Sequence, residues 1–154
     1  MKYYFESIEK QRELRVILEE WLNTPFRHHV GVKQVGCDCI HFAVRVFEEM
    51  GIIRWRKDMI QNYAYDGHLH HTRGLLPNGI EKEFNVEKRG LISPMNGDIF
   101  IFHIGNDDAH ASIYFDDYLY QSLTDIGVVK IKFGLSNRVF RKEGQMSFSY
   151  RIIA

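Results

Sequence analysis

Apolar side chains recur at helical spacing near the start of the chain. The set follows the i, i+3, i+4, i+7 rule and consists of Leu14, Ile17, Leu18 and Trp21. This spacing predicts an amphipathic helix over about residues 5–22. The segment Asn23-Thr24-Pro25 ends it, because the residue before a proline avoids the helical conformation.

A second helical pattern begins near Asp38, after a loop over residues 24–38 that is rich in Gly, Val and His. Aspartate is a favoured N-cap because its side chain accepts hydrogen bonds from first-turn amides. One face of the predicted helix is apolar and carries Phe42, Ala43, Val46, Phe47 and Met50. Gly51 is predicted to end the helix.

The last third of the chain changes to short runs that are rich in β-branched and aromatic residues. These runs predict five strands, over residues 98–102, 111–115, 118–121, 128–133 and 147–153. Asp116-Asp117 predicts a tight turn between the second and third. Helices followed by strands indicate an α+β domain, with the second helix packed on an antiparallel sheet of about five strands.

Residues 52–96 give the weakest pattern in the chain. Aromatic residues and histidines are scattered through this stretch without a clear period. The tripeptide Pro77-Asn78-Gly79 predicts a turn. The sequence assigns no role to the stretch.

Composition narrows the class of protein. The chain has 154 residues, of which 45% are apolar and 26% charged, and its formal net charge is zero with His neutral. We therefore expect one soluble globular domain over residues 1–154, with no nucleic acid as partner. No segment reaches the roughly 20 apolar residues of a membrane span. The charged N-terminus does not resemble a secretory signal, so synthesis in the cytoplasm is expected.

The segment Gly36-Cys37-Asp38-Cys39-Ile40 holds both cysteines of the chain. Two positions apart, they are poorly placed for a disulfide. Cys39 falls in the first turn of the predicted helix, where unpaired amides and the helix dipole favour a thiolate. We therefore interpret Cys39 as a nucleophile and Cys37 as a structural residue. The competing interpretation of Cys39 is a buried structural cysteine.

A base and a residue to orient it follow further along the chain. His110 lies just before the second predicted strand, and Gln121 ends the third. A tight turn between those strands brings their far ends side by side, so the Gln121 amide oxygen can accept the imidazole N–H and fix its tautomer. The sequence thus predicts a Cys39–His110–Gln121 triad for nucleophilic catalysis. The alternatives are a packing histidine and a solvated strand-end glutamine.

Metal binding is the main competing chemistry. Cys37, Cys39 and His41, together with His68, His70 and His71, include enough ligands for zinc. The Cys-x-Cys-x-His spacing lacks the usual two-residue gap, and His41 falls on the helix itself. We therefore expect no metal and no organic cofactor.

Asp98 is expected to hold backbone at the start of a strand.

Several segments together resemble the NlpC family of bacterial cell-wall cysteine peptidases, particularly its phage-associated branch. In chain order they are residues 21–29, 36–39, 96–102, 110–114, 119–121 and 127–129. The resemblance covers about residues 14–50 and 94–133. It implies a papain-like fold, with Cys39 as nucleophile, His110 as base and Gln121 as the third polar residue.

The resemblance also implies a substrate and a setting. Family members cleave peptidoglycan stem peptides, typically at the γ-D-glutamyl–diamino acid bond, so a stem peptide is the expected partner. Phage tail proteins are a further expected partner, with the protein carried on a virion or released to the cell wall. Phe26, His28, His29 and Asp38 precede Cys39 in the sequence and are assigned to substrate binding. His28 and His29 are equally compatible with a solvated loop, and Asp38 is first of all a helix cap.

The chain departs from the family pattern at three places. Phe26 stands where the family usually has a tyrosine, Ile40-His41 replaces two small residues after the cysteine, and the loop before Cys39 is one residue longer. These departures keep two other hypotheses open. One is a non-catalytic structural subunit with this fold, and the other is a related thiol hydrolase or toxin acting on another amide or ester.

Overall fold

The structure, a computed structural model, describes residues 1–59, 75–90, 93–104, 107–134 and 146–154. A 3-10 turn at Tyr4–Glu6 precedes the first α-helix. The helices of the described residues are α1 (Ile8–Trp21), α2 (Cys39–Glu49) and α3 (Leu75–Glu83). Their strands are β1 (Gly31–Val32), β2 (Gly36–Cys37), β3 (Val86–Arg89), β4 (Ile99–Ile104), β5 (Asp107–Phe115), β6 (Tyr118–Leu123), β7 (Gly127–Lys132) and β8 (Met146–Ile152).

Helix α1 confirms the first predicted helix and starts three residues later than expected. Ser7 caps it, with the hydroxyl oxygen accepting a hydrogen bond from the Lys10 amide at 3.3 Å. Leu14, Leu18 and Trp21 are fully buried on one face, as the spacing predicts. Burial of such side chains stabilises the fold by about 1.5–3 kcal/mol each.

Helix α2 begins and ends where the sequence predicts. Asp38 is its N-cap, and a carboxylate oxygen of this residue accepts a hydrogen bond from the His41 amide at 2.8 Å. Phe42 and Phe47 on its apolar face are fully buried in the core. Gly51, with a φ of +72°, follows the helix in the left-handed conformation that glycine adopts without strain.

The large sheet is antiparallel throughout and has the strand order β3-β8-β4-β5-β6-β7. This confirms the α+β class and the antiparallel sheet, with six strands in place of about five. The additional strand, β3, is an edge strand paired only with β8 among the described residues. Its sequence is Val-Glu-Lys-Arg, which has too few apolar positions for alternation to reveal it.

The two faces of the sheet belong to two separate apolar clusters. The face that meets the helices includes Ile99, Ile101, Ala111 and Ile113 in the main core. Phe100, Phe102 and Leu119 form a second buried cluster on the opposite face. Because side chains alternate along a strand, residues 110, 112, 119 and 121 all belong to this opposite face.

The structure overturns the turn predicted at residues 77–79. Pro77-Asn78-Gly79 lies inside α3, so the predicted turn is wrong. A proline is tolerated there because the first turn of a helix does not use its amide hydrogens.

His68, His70 and His71 lie outside the described residues. No helix within the described ranges is long and apolar enough to cross a membrane.

Candidate active site

The segment before α2 is held by backbone pairing, which fixes where Cys39 emerges. Strands β1 and β2 form a small antiparallel hairpin that the sequence analysis treated as a loop. On the other side of β2, Cys37 forms a parallel β-bridge with Phe26. The Cys37 amide donates to the Pro25 carbonyl oxygen at 2.9 Å, and the Arg27 amide donates to the Cys37 carbonyl oxygen at 3.1 Å. Cys37 is completely buried, whereas Cys39 is partly exposed.

Strands β5 and β6 stop pairing where the candidate residues begin. Their register runs from Phe115–Tyr118 to Ile113–Tyr120 and no further among the described residues, although β6 continues beside β7 as far as Leu123. Backbone pairing between the two strands therefore ends at Ile113 and Tyr120, and we call this end of the pairing the β5–β6 opening.

Cys37, at the end of β2, and Cys39, the first residue of α2, are hydrogen-bonded to the two strands that border this opening. The Ser122 hydroxyl of β6 donates to the Cys37 carbonyl oxygen at 2.8 Å. The backbone amide of Ala111, in β5, is within hydrogen-bonding reach of the Cys39 sulfur. The sulfur is therefore adjacent to the residue that follows His110.

His110 and Gln121 are in direct contact across the opening. The imidazole Nε2 lies 2.7 Å from the Gln121 Oε1, and the Ser112 hydroxyl donates to the same oxygen at 3.0 Å. His110 is almost entirely buried, and Ser112 and Gln121 are entirely so. Because a carbonyl oxygen only accepts hydrogen bonds, this contact places the imidazole proton on Nε2.

The predicted strand ends need correction at both residues. His110 lies within β5, which begins at Asp107, rather than just before a strand. Gln121 lies within β6, which runs to Leu123, and its side chain is buried rather than solvated. The alternation of apolar residues does not reveal these strand ends, because polar residues occupy them. Pairing with β4 and β7 nevertheless holds these polar residues in an extended conformation.

The charge states of the thiol and the imidazole differ from the sequence-based expectation of a favoured thiolate. Although Cys39 is partly exposed as a residue, protein atoms enclose its sulfur. This burial, with a smaller contribution from the Asp38 carboxylate, raises the pKa of Cys39 to about 12. Burial also lowers the pKa of His110, opposed by its hydrogen bond to Gln121. The resting pair is therefore a neutral thiol and a neutral imidazole at pH 7.

The residues assigned to substrate binding are gathered around Asp38. One carboxylate oxygen accepts from the His29 amide at 2.8 Å, and the other lies 2.8 Å from both the amide nitrogen and the ring Nδ1 of His41. The His29 ring packs edge-on against those of His28 and His41, with centroid distances of 4.3 Å and 5.8 Å. Phe26 is half-buried beside Cys37. The capping role of Asp38 is confirmed, and the role of these residues in substrate binding stays a prediction.

Asp98 is confirmed as a residue that holds the start of a strand. Its carboxylate accepts a hydrogen bond from the Met95 amide at 2.8 Å, which closes the turn before β4. It also accepts two hydrogen bonds from the Arg151 guanidinium of β8, at 2.9 and 2.8 Å. Both side chains are buried, so this ion pair joins two central strands at one end of the sheet.

Sequence analysis assigned no role in this site to three of its polar residues, although it named His41 as a possible zinc ligand. Ser112 carries a detectable signal, because it lies two residues after His110 and strand alternation puts both on one face. Ser122 and His41 carry only weak signals, since their partners Cys37 and Asp38 are fixed by the conformation of the loop before α2. Within the described residues, no group of three or more His, Cys, Asp or Glu side chains is arranged to hold a metal ion.

Neither a protein-family model nor a curated protein matches this sequence. A crystal structure from Staphylococcus aureus, described as similar to a lipoprotein of the NLP/P60 family, matches its fold with a TM-score of 0.62 and 16% sequence identity. The match covers 96% of this chain but 43% of the other, so this chain spans less than half the length of that protein. The likeness shows a papain-like α+β fold in common with an NLP/P60 protein. It does not bear on the phage-associated branch.

Proposed function

We propose that the protein is a cysteine peptidase or amidase that hydrolyses peptidoglycan stem peptides. Two observations support this proposal: the Cys39 sulfur lies beside the Ala111 amide, next to His110 in the chain, and His110 contacts Gln121. The fold that the chain has in common with an NLP/P60 protein supports the class of substrate.

The reaction begins with attack of the Cys39 sulfur on an amide carbonyl. As the C–S bond forms, the thiol proton passes to Nδ1 of His110, the ring nitrogen that carries the lone pair when Nε2–H faces Gln121. The imidazolium then protonates the leaving amine, and the C–N bond breaks to give a thioester. His110 next activates a water molecule that hydrolyses the thioester and restores the thiol.

A neutral resting pair is compatible with this sequence of steps. Burial opposes both charged forms, so proton transfer accompanies attack instead of preceding it. The negative charge that develops on the carbonyl oxygen needs a donor, and the Cys39 amide at the start of α2 is the proposed one. The neutral Gln121 orients the ring without adding charge.

The finer assignment concerns the bond and the setting. We propose the γ-D-glutamyl–diamino acid bond as the scissile bond and the phage-associated branch as the origin of the chain. Both follow from the sequence motifs around Cys39 and His110. Phage tail proteins are the proposed partners, and recovery of the protein with virions or with the cell envelope is the expected localisation.

The proposal is tested by incubating purified muropeptides with the wild type, Cys39→Ala and Cys37→Ala, followed by liquid chromatography and mass spectrometry. We expect the wild type and Cys37→Ala to release fragments whose masses place the cut at the γ-D-glutamyl bond, and Cys39→Ala to release none. Intact muropeptides with the folded wild type would refute the proposal. Cleavage at another amide would retain the enzyme class and overturn the proposed bond.

A second candidate function, a non-catalytic subunit, is favoured by one observation. Burial raises the pKa of Cys39 to about 12, and a thiol that never ionises or transfers its proton is inert. This candidate predicts that iodoacetamide labels Cys39 no faster than Cys37 and that His110→Asn leaves the rate unchanged. Faster labelling of Cys39, slowed by the His110 substitution, would exclude it.

A further inference from the structure

At the β5–β6 opening, side chains and not the sheet ladder connect the two strands. Their last backbone pair among the described residues is Ile113 with Tyr120, whereas His110 and Gln121 lie beyond it. The register brings these two residues near each other, but no backbone hydrogen bond between β5 and β6 holds the strands together at their level. The spacing of the strands at the candidate site therefore depends on other contacts.

Two contacts supply this connection, one on each face of the sheet. The imidazole–amide hydrogen bond lies on the face opposite the helices. On the helix face, Cys37 is hydrogen-bonded to Ser122 of β6, and the Cys39 sulfur lies beside the Ala111 amide of β5. Ser122 and Ala111 each directly follow one member of the imidazole–amide pair in the sequence. The segment that leads into α2 therefore joins β5 and β6 at the level of the candidate catalytic residues.

Ser122 makes the link between this segment and β6. It is 1% exposed, and its hydroxyl donates to the Cys37 carbonyl oxygen at 2.8 Å. The same hydroxyl is within hydrogen-bonding reach of the Cys37 sulfur. One buried serine thus contacts both the backbone and the side chain of Cys37. Because Cys39 follows two residues later, this contact fixes where the nucleophile segment lies against β6.

The Cys37 carbonyl oxygen does not depend on Ser122 for a hydrogen bond, because the Arg27 amide also donates to it, at 3.1 Å. Removal of the serine hydroxyl therefore leaves this acceptor with a partner, and the cost in stability is that of one ordinary hydrogen bond. Arg27 belongs to the loop before α2 and not to the large sheet. The specific loss is therefore the connection between the segment of Cys39 and β6.

We propose that Ser122 is a positioning residue, which holds the segment of Cys39 against β6 and so sets the position of the Cys39 sulfur relative to His110. This inference rests on the proposed function for its catalytic consequence. Ser122 acts through Cys37 and does not touch the reacting atoms. The hydrogen bond that carries the effect is present without substrate.

The first test needs no substrate and reads the Ala111 amide by ¹H–¹⁵N NMR, because this amide lies beside the Cys39 sulfur. We expect Ser122→Ala to move the Ala111 resonance towards its position in Cys39→Ala. Hydrogen exchange of that amide should become about two- to tenfold faster, from the worth of one hydrogen bond. Ser122→Thr, which keeps the hydroxyl, should restore the wild-type values.

An unchanged Ala111 amide in folded Ser122→Ala would overturn the inference. If Ser122→Ala does not fold, Ser122→Thr and Ser122→Val take its place, because these two variants have the same shape and differ in the hydroxyl alone. The Ala111 amide should then be altered in the valine variant only. Equal Ala111 resonances in the two variants would likewise overturn the inference.

Ser149 supplies the matched control. It is also a buried serine of the large sheet, and its hydroxyl donates to a backbone carbonyl oxygen, that of Gly90, at 3.1 Å. It lies on β8, which β4 separates from β5. Ser149→Ala should therefore lower the urea midpoint of unfolding about as much as Ser122→Ala does, but leave the Ala111 amide unchanged.

The second test compares the two alanine variants on muropeptides. We expect Ser122→Ala to lower kcat about tenfold with KM unchanged, since a displaced nucleophile affects the reaction more than binding, and Ser149→Ala to keep the wild-type kcat. Equal effects of the two substitutions on kcat would contradict the positioning role. The expected change at Ala111, together with folded wild type that hydrolyses no muropeptide, would refute the proposed function alone and support the positioning of Cys39 by Ser122.

Discussion

Two buried polar clusters lie in the same sheet, and they are built in opposite ways. At one end, Asp98 and Arg151 are joined by two charged hydrogen bonds, and the Asp98 carboxylate also holds a backbone amide. At the β5–β6 opening, His110, Ser112 and Gln121 are neutral at pH 7, and the Gln121 Nε2 has no hydrogen-bond partner among the described residues. In the first cluster, the Asp98 carboxylate and the Arg151 guanidinium are hydrogen-bonded to each other, and their ion pair holds strands together. The second keeps unused hydrogen-bonding capacity, which is typical of a site that acts on something else.

Among the substitutions that separate the two clusters, replacing the His110 imidazole should change activity most. His110→Asn keeps an amide able to donate to Gln121 but removes the base, so we expect kcat/KM on muropeptides to fall by about 10²–10⁴-fold. The free energy of unfolding, measured by urea titration, should change far less than it does for Arg151. A comparable loss of stability with little loss of activity would reverse the roles assigned to the two clusters.

Changing the ion pair should have the converse effect. Arg151→Met leaves the buried Asp98 carboxylate without its charged partner, and we expect the free energy of unfolding to fall by about 3–5 kcal/mol. Activity per folded molecule should be retained below the unfolding midpoint. Arg15→Met is the control, because its pair with Asp116 is exposed and should cost less than about 1 kcal/mol. Equal costs for the two variants would show that burial of the Asp98 pair is not what stabilises the sheet.

The pH dependence of kcat/KM sharpens the description of the neutral cluster. His110 must be unprotonated to accept the thiol proton, and burial lowers its pKa, so activity should be lost only below the ordinary histidine value of about 6.5. Since the Gln121 hydrogen bond raises that pKa, Gln121→Ala should move the acid limb to still lower pH. No ionisation of Cys39 should appear between pH 7 and 9, because its pKa is about 12. An acid limb above 6.5 would contradict the lowered pKa of His110, and a basic limb between pH 7 and 9 would indicate a resting thiolate–imidazolium pair instead.

The parts of the fold set by local pattern could be predicted from the sequence. Helix α2 with its Asp38 cap depends on neighbouring residues alone, and so does the turn at Asp116-Asp117, where both residues take positive φ. The contact between His110 and Gln121 follows from that turn, because it fixes the register of β5 against β6. Local sequence rules therefore predicted the contact between His110 and Gln121, on which the candidate site depends.

The parts set by tertiary burial could not be predicted. The helix dipole favours a thiolate at Cys39, but enclosure of the sulfur between α2 and the sheet has the larger effect and raises its pKa. The edge strand β3 has a polar sequence and forms because β8 offers it a partner. Proline and glycine in α3 indicated a turn, yet the helix contains both. In each case a distant contact outweighs the local preference.

In the proposed reaction, Cys39 acts as a nucleophile towards a stem peptide with His110 as its base. The most direct measurement is rapid-quench mass spectrometry of the intact protein mixed with excess muropeptide, followed by peptide mapping. The account predicts a transient thioester on Cys39 and none on Cys37, with its formation slowed by about 10²–10⁴-fold in His110→Asn. Turnover with the acyl group on any other residue would contradict it, and so would folded wild type that gives neither adduct nor product.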